Sequence, residues 1–228
     1  MNYLQDMVVW LNDPLNWTNP DGILVRLREH LLIMAGAIPL AMLVAWPIGV
    51  AIGRTNRGGN LVVVLSNLTL AIPVLALLTV LPLTPLGFGR PPIVVALAIF
   101  AVPPLLATAF TGMREIDPEV RDAAQGMGMS SWQRLWRVEL PLSVPYLASG
   151  FRTAAVQVAA TAALASFVSG GGLGTIIAAG FGLGIAAAGG QILAGGLLVV
   201  VLALLVEGLG ALLQRAVTPR HLRAARRA

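Results

Sequence analysis

The residues best spaced to do chemistry run from Arg114 to Pro141: Arg114-Glu-Ile-Asp-Pro-Glu-Val-Arg-Asp-Ala-Ala-Gln-Gly-Met-Gly-Met-Ser-Ser-Trp-Gln-Arg-Leu-Trp-Arg-Val-Glu-Leu-Pro141. The chemistry they point to is recognition, not bond-breaking. Asp117 before Pro118 and Glu119 is a helix start, with a capping carboxylate, a pre-set φ and an acid at the positive dipole end. Gly126 and Gly128 weaken that helix after about two turns of 3.6 residues. Ser130 with Gln133 forms a capping-box pattern that opens a second short helix. That helix puts Trp132, Leu135 and Trp136 on one face at i, i+3, i+4 spacing. Pro141 and Pro145 are expected to stop it from running straight into the apolar run that follows. Exposed aromatics on a short rigid helix suit either a docking surface or an anchor at lipid headgroup level, and the local pattern fits both.

Groups for catalysis are missing. The 228-residue chain contains no cysteine, which excludes disulfides, thiolate metal sites and cysteine nucleophiles. Ser149 and Ser166 have no histidine placed to activate them, since His30 and His221 fall at the ends of the apolar region, and neither is assigned a role. No His-Glu-x-x-His pair and no phosphate-binding glycine loop with lysine occurs. The expectation is therefore a protein that is not an enzyme.

The elements that must position the loop are membrane spans. The chain is 57% apolar and 11% charged, against about a quarter charged in a soluble domain. A bilayer core about 30 Å thick takes about 20 apolar residues per helix, so the chain holds about five spans. The apolar runs are about 30–53, 61–83, 93–113, 145–168 and 191–213. Residues 1–29, with Trp10 and Trp17, read as an interfacial segment, 30–213 as one membrane domain carrying the loop 114–144, and 214–228 as a basic tail. Gly170 to Gly190 is rich in small residues and reads as a short helix within the membrane. The fold class expected is thus an all-α integral membrane protein.

All fifteen basic residues are arginine, and they lie between apolar runs instead of clustering on a soluble face as in a nucleic-acid binder. With five spans, Arg54, Arg57, Arg114, Arg121, Arg134, Arg137, Arg152, Arg215, Arg220, Arg223, Arg226 and Arg227 collect on one side. Arg26, Arg28 and Arg90 remain on the other. The positive-inside rule makes the first side cytoplasmic, with the N-terminus outside and the tail inside. Arg152 and Glu207 are the ionisable residues nearest span interiors, and snorkelling or a structural pair accounts for them better than a functional charge.

Asp122-Ala-Ala, Gly128, Val138 and Leu140-Pro141 resemble, in order and spacing, the EAA motif of ABC importer permeases, with Asp122 for the usual glutamate and Val138 for the usual isoleucine. The resemblance implies that Asp122, Ala123, Ala124, Gly128, Trp132, Trp136, Leu140 and Pro141 form a coupling helix that docks in a groove of a separate ATPase subunit. It implies further partners: a second permease chain, identical or related, and an extracellular or periplasmic substrate-binding protein. ATP and magnesium would sit on the ATPase, with no cofactor on this chain. The location implied is the bacterial plasma membrane.

Phe110-Thr-Gly-Met113, Ile116-Asp-Pro118, Gly126-Met-Gly-Met129, Gly150-Phe-Arg152-Thr-Ala and Gly170-Gly-Gly-Leu-Gly174 are similar to the osmoprotectant branch, which imports glycine betaine, choline or carnitine. Methionine importer permeases share the size and plan and stand as the alternative, and a passive channel or scaffold is the alternative outside ABC transport. The branch often carries Arg-Asn where this chain has Ala107 and Thr108. Aromatic residues are only 6% of the chain and do not cluster within its spans as an aromatic cage around a quaternary amine would, so substrate selection is expected in the binding protein. Ser66, Asn67, Thr69, Thr108, Thr153, Gln157 and Thr161 are candidates to line a path, although hydrogen bonding between helices is the commoner use of such residues.

Overall fold

The structure is a computed structural model that describes residues 2–55, 59, 62, 64, 71–168 and 170–218. Helices form every regular element among them. In chain order these are α1 (Tyr3–Asn12), α2 (Leu15–Thr18), α3 (Ile23–Thr55) and α4 (Val74–Val80), then α5 (Arg90–Arg114), α6 (Pro118–Gly126) and α7 (Ser131–Arg134). After α7 a π-helical turn, Leu135–Glu139, leads into α8 (Leu140–Thr161), a 3₁₀ stretch (Ala162–Val168), α9 (Gly174–Leu183) and α10 (Ile185–Val217).

Four helical stretches among the described residues are long and apolar enough to cross a bilayer: Leu15–Thr55, Arg90–Arg114, Ser131–Val168 and Ile185–Val217. Of the expected second span, 61–83, residues 61, 63 and 65–70 lie outside the described residues, and its described end holds α4 and the 3₁₀ turn Leu81–Leu83. Packing directions set how the described helices run. Built Cβ atoms on Gly36, Gly49 and Gly53 of α3 meet Val94, Ala109 and Phe110 of α5 in the same order. The two helices therefore run parallel. α8 runs antiparallel to α5, with Gly150 against Thr108 and Gly112 against Tyr146, and α10 runs back along α8.

These contacts are close because the facing residues are small. A Cβ on Gly49 would lie 2.7 Å from the Ala109 Cβ, and one on Gly150 would lie 1.9 Å from the Thr108 Oγ1. Ala37, Ala41, Ala45, Ala96, Ala101, Ala109, Ala155 and Ala159 fill the buried seams. In lipid, helices gain little from burying apolar surface against each other, so close backbone contact over small residues is what holds them together. This also gives Thr108 a packing role, in which its hydroxyl donates back to the Pro104 carbonyl at 2.8 Å and fills the notch opposite Gly150.

Three boundaries differ from those expected. α3 begins at Ile23 instead of about 30, because nothing after Gly22 breaks a helix and the first turns are supported by ion pairs of Arg26 with Asp21 and with Glu29 at 3.0 Å. The short membrane helix is α9, but a positive φ of 90° at Gly184 ends it and α10 starts at Ile185. The prolines, finally, do not separate the aromatic-faced helix from its span: α7, the π-turn and α8 are continuous. The Leu140 N–H reaches back to the Leu135 carbonyl, widening the turn by one residue. Pro141 follows directly on it, so the N–H it lacks falls where the α-helical hydrogen-bond register is already interrupted.

Candidate functional site

α3 and α5 end, α8 begins and α10 ends at one end of the bundle, and the 114–144 segment caps that end. Its local structure follows the sequence closely. The Asp117 carboxylate accepts from the Glu119 N–H at 2.9 Å, and α6 stops at Gly126. Gly128 turns the chain with φ +79°, while its N–H donates to the Gln125 carbonyl at 2.9 Å and that of Met129 to the Ala124 carbonyl at 3.2 Å. The capping box is complete: the Gln133 N–H donates to Ser130 Oγ at 3.3 Å and the Ser130 N–H to Gln133 Oε1 at 2.9 Å.

The aromatic face is exposed. Trp132 and Trp136 stack edge to face with centroids 5.5 Å apart and keep 66% and 56% of their surface accessible. Met127 beside them is 70% exposed, and Asp122 and Ala123 also face outward. Ala124 is buried and seats α6, and Leu140 and Pro141 carry the surface into α8. The motif residues thus assemble into one platform of two short helices joined at Gly128. Next to it an apolar groove of about 820 Å³ runs between α3 and the π-turn, walled by Trp46, Pro47, Val50, Leu135, Trp136 and Leu140, with Arg54 at its end.

Beneath the platform lies a residue the sequence reading passed over. Glu139, the last residue of the π-turn, is 1% exposed. Its Oε2 accepts from Arg54 Nε at 2.5 Å, and its Oε1 faces Arg121 Nε at 3.6 Å and Arg134 Nε at 3.5 Å. Arg54 also donates to the carbonyl and hydroxyl of Ser131 at 2.8 and 3.0 Å, Arg121 to the Met113 carbonyl, and Arg134 to Gln125 Oε1 at 2.7 Å. A buried carboxylate survives only when paired, and this one draws arginines from α3, α6 and α7. The one sequence signal was an acid at the foot of an apolar span amid three basic residues.

A second polar cluster holds the opposite end. The glycine run 170–174 lies against the first turns of α3, and Glu29 Oε2 accepts from the Gly172 N–H at 3.0 Å. His30, read from sequence as sitting at the edge of the apolar region, is completely buried. The Leu173 N–H donates to its Nδ1 at 3.3 Å, so its proton is on Nε2, which donates to the Ala159 carbonyl at 2.9 Å. Gly171 and Gly172 have φ of 73° and 82°, and a Cβ on Gly171 would lie 2.6 Å from the Glu29 carboxylate. Glycine is required there by conformation and by space.

Of the path candidates, Ser66, Asn67 and Thr69 lie outside the described residues, as do Arg57 and the tail arginines beyond Thr218. Thr153, Gln157 and Thr161 fall at i, i+4, i+8 and form a polar stripe along α8. The hydroxyls of Thr153 and Thr161 donate to carbonyls of their own helix at 3.1 and 2.7 Å. Arg152 and Glu207 form the structural pair expected of them, with Nε to Oε2 at 2.9 Å, and Gln214 Oε1 accepts from Arg152 at 3.2 Å.

Comparison with known proteins extends this picture. The family model described as "Binding-protein-dependent transport system inner membrane component" matches residues 37–219. The glycine betaine/carnitine/choline transport system permease protein OpuCB of Bacillus subtilis (strain 168) is 35% identical over 206 residues, covering 90% of this chain and 93% of its own. The carnitine transport permease protein OpuCB of Listeria monocytogenes is 36% identical over 209 residues, covering 91% and 94%. The osmoprotectant import permease protein OsmW of Salmonella typhimurium is 34% identical over 200 residues, covering 86% and 91%. Among solved structures, an inward-facing form of the MetNI methionine ABC transporter contains a chain of the same fold, with TM-score 0.74 and 22% identity over 86% of this chain and 96% of that one.

Proposed function

This chain belongs to the family of binding-protein-dependent transport system inner membrane components, and we propose that it is the membrane-spanning permease of an ATP-driven importer of osmoprotectants such as glycine betaine, choline or carnitine. The observation that carries the reading is the platform Asp122–Pro141: two capped helices with an exposed tryptophan pair, mounted on the ends of the spans. Relatives more than 30% identical over most of the chain, named for glycine betaine, carnitine and choline transport, support the substrate class. The likeness to a methionine transporter is at 22% identity and speaks for the fold alone.

In this reading the platform faces the cytoplasm, as the arginine asymmetry supports, and docks in a groove of an ATPase subunit that supplies ATP and magnesium. The chain itself carries no catalytic site. One platform per chain requires two permease chains, identical or related, to match two ATPase subunits. ATP-driven closure of the ATPases draws the two platforms together and turns an inward-facing path outward. A substrate-binding protein then delivers cargo, and hydrolysis resets the path. The polar stripe Thr153, Gln157 and Thr161 supports α8 as one wall of that path, with Ser66, Asn67, Thr69 and Thr108 as further candidates. A weakly selective wall suits a system whose selection happens in the binding protein.

Uptake of radiolabelled glycine betaine, choline, carnitine and methionine in cells with and without the gene, at low and high osmolarity, tests the reading. Loss of quaternary-amine uptake on deletion, restored by the gene, is expected. Loss of methionine uptake alone would overturn the substrate class but keep the importer, and uptake independent of ATP would point to a passive channel.

A further inference from the structure

We propose that Glu139 is the positioning residue that passes movement of the platform to α3, by exchanging ion pairs between Arg54 and the two platform arginines. The inference rests on the transporter reading and adds to it the route by which the loop grips the span.

Four elements meet at this carboxylate. Glu139 closes the π-turn that leads into α8, Arg54 ends α3, Arg121 belongs to α6 and Arg134 to α7. A pull on the platform displaces α6 and α7 first, and they meet α3 through Glu139 and through the bonds from Arg54 to Ser131.

The contacts are unequal. Arg54 Nε is bonded at 2.5 Å, whereas Arg121 and Arg134 Nε stand at 3.6 and 3.5 Å, beyond the ordinary length of about 2.9 Å for such a bond. Both of those N–H groups are buried without an acceptor. A shift of about half an ångström would complete their bonds, since N–H···O contacts settle near 2.9–3.0 Å. Arg54 holds Oε2 while Arg121 and Arg134 face Oε1. The exchange is therefore a movement of the carboxylate as a whole, in which drawing Oε1 onto the platform pair lengthens the Oε2 bond to Arg54. In this structure α3 holds the carboxylate; the alternative has the platform holding it. The π-turn suits such an exchange, because a widened turn already carries one extra residue and its register shifts easily. A carboxylate serving only to neutralise its surroundings would instead be expected to pair evenly and tightly, since unpaired buried charge is costly.

The test is reconstitution of the permease with its ATPase subunits and binding protein in liposomes, reading substrate transported per ATP hydrolysed. In Glu139→Gln this ratio is expected to fall on the order of tenfold, within the range of coupling between distant sites. Arg54→Lys keeps the charge but loses the fork that holds Glu139 and Ser131 together; its ratio is also expected to fall, while its melting temperature stays near that of the parent. A double variant carrying both changes should lose less than the product of the two single losses, since both act at one contact. Uptake and hydrolysis falling by the same factor in Glu139→Gln, with the ratio unchanged, would reduce Glu139 to a structural role and overturn the inference. If Glu139→Gln does not assemble, an unchanged ratio in Arg54→Lys overturns it equally. A parent protein showing no ATP-dependent uptake would instead sink the transporter reading itself.

Discussion

Replacing Gly128 by alanine separates conformation from space at the centre of the platform. A Cβ built at Gly128 meets nothing within 4 Å, yet the residue sits at φ +79°. The whole cost is therefore the left-handed backbone, roughly 1–2 kcal/mol for a residue with a Cβ. That corresponds to a factor of about 5 to 30 in the ratio of formed to lost turn between α6 and α7, which is the most by which its population can fall. Gly126 is the matched control: its Cβ also meets nothing within 4 Å, and no left-handed φ accompanies it. Alanine there lies inside a helix and should be neutral or stabilising by up to about 1 kcal/mol. Binding-protein-dependent uptake, normalised to permease in the membrane, should fall for Gly128→Ala by up to about 5- to 30-fold, the limit set by the lost turn, and stay at parental level for Gly126→Ala. Gly128→Asn should recover part of the loss, because asparagine tolerates the left-handed region. Equal effects at 126 and 128, or a harmless Gly128→Ala, would refute the claim that the turn sets the angle between the two helices.

Elsewhere in the bundle, His30→Ala removes the partner of two buried backbone groups, Leu173 N–H and Ala159 C=O. Each group left unsatisfied costs about 1–3 kcal/mol, so a fall in melting temperature of the detergent-solubilised protein is expected. Gly150→Ala drives a Cβ into Thr108 and should destabilise by about 1–3 kcal/mol, the usual cost of overpacking; adding Thr108→Ala should relieve only part of that, because the Thr108 Cβ at 2.9 Å and the Pro104 carbonyl at 3.2 Å remain in the way. Arg152→Met and Glu207→Gln should each lower accumulation in membranes more than the double variant does, since each alone leaves one charge in the span without its partner; quantitative immunoblotting reads this directly.

Much of the molecule was legible in the chain because its signals are local. Hydropathy over a window the width of a bilayer marked the long spans. Asp117, Ser130 and Gln133 announced their caps because a cap is an interaction across two or three residues, and Gly128 announced its turn because a left-handed φ is a property of one residue. The π-turn escaped notice because proline rules assume an unbroken α-helical register, and a widened turn before Pro141 removes the clash they anticipate.

The sequence alone determined that this is a helical membrane protein carrying a two-helix platform, because burial in lipid, capping and periodicity each act within a few turns of chain. Only the tertiary structure decided which polar groups are held inside. Glu139 finds Arg54 across 85 residues, and His30 finds Ala159 across 129 and Leu173 across 143. Those partnerships depend on helix order, direction and rotation, which small-residue packing sets at contacts such as Gly49 on Ala109 and Gly150 on Thr108. No window along the chain contains both members of such a pair, so a glutamate passed over in the sequence and a histidine that read as a boundary residue became the anchors of the two ends.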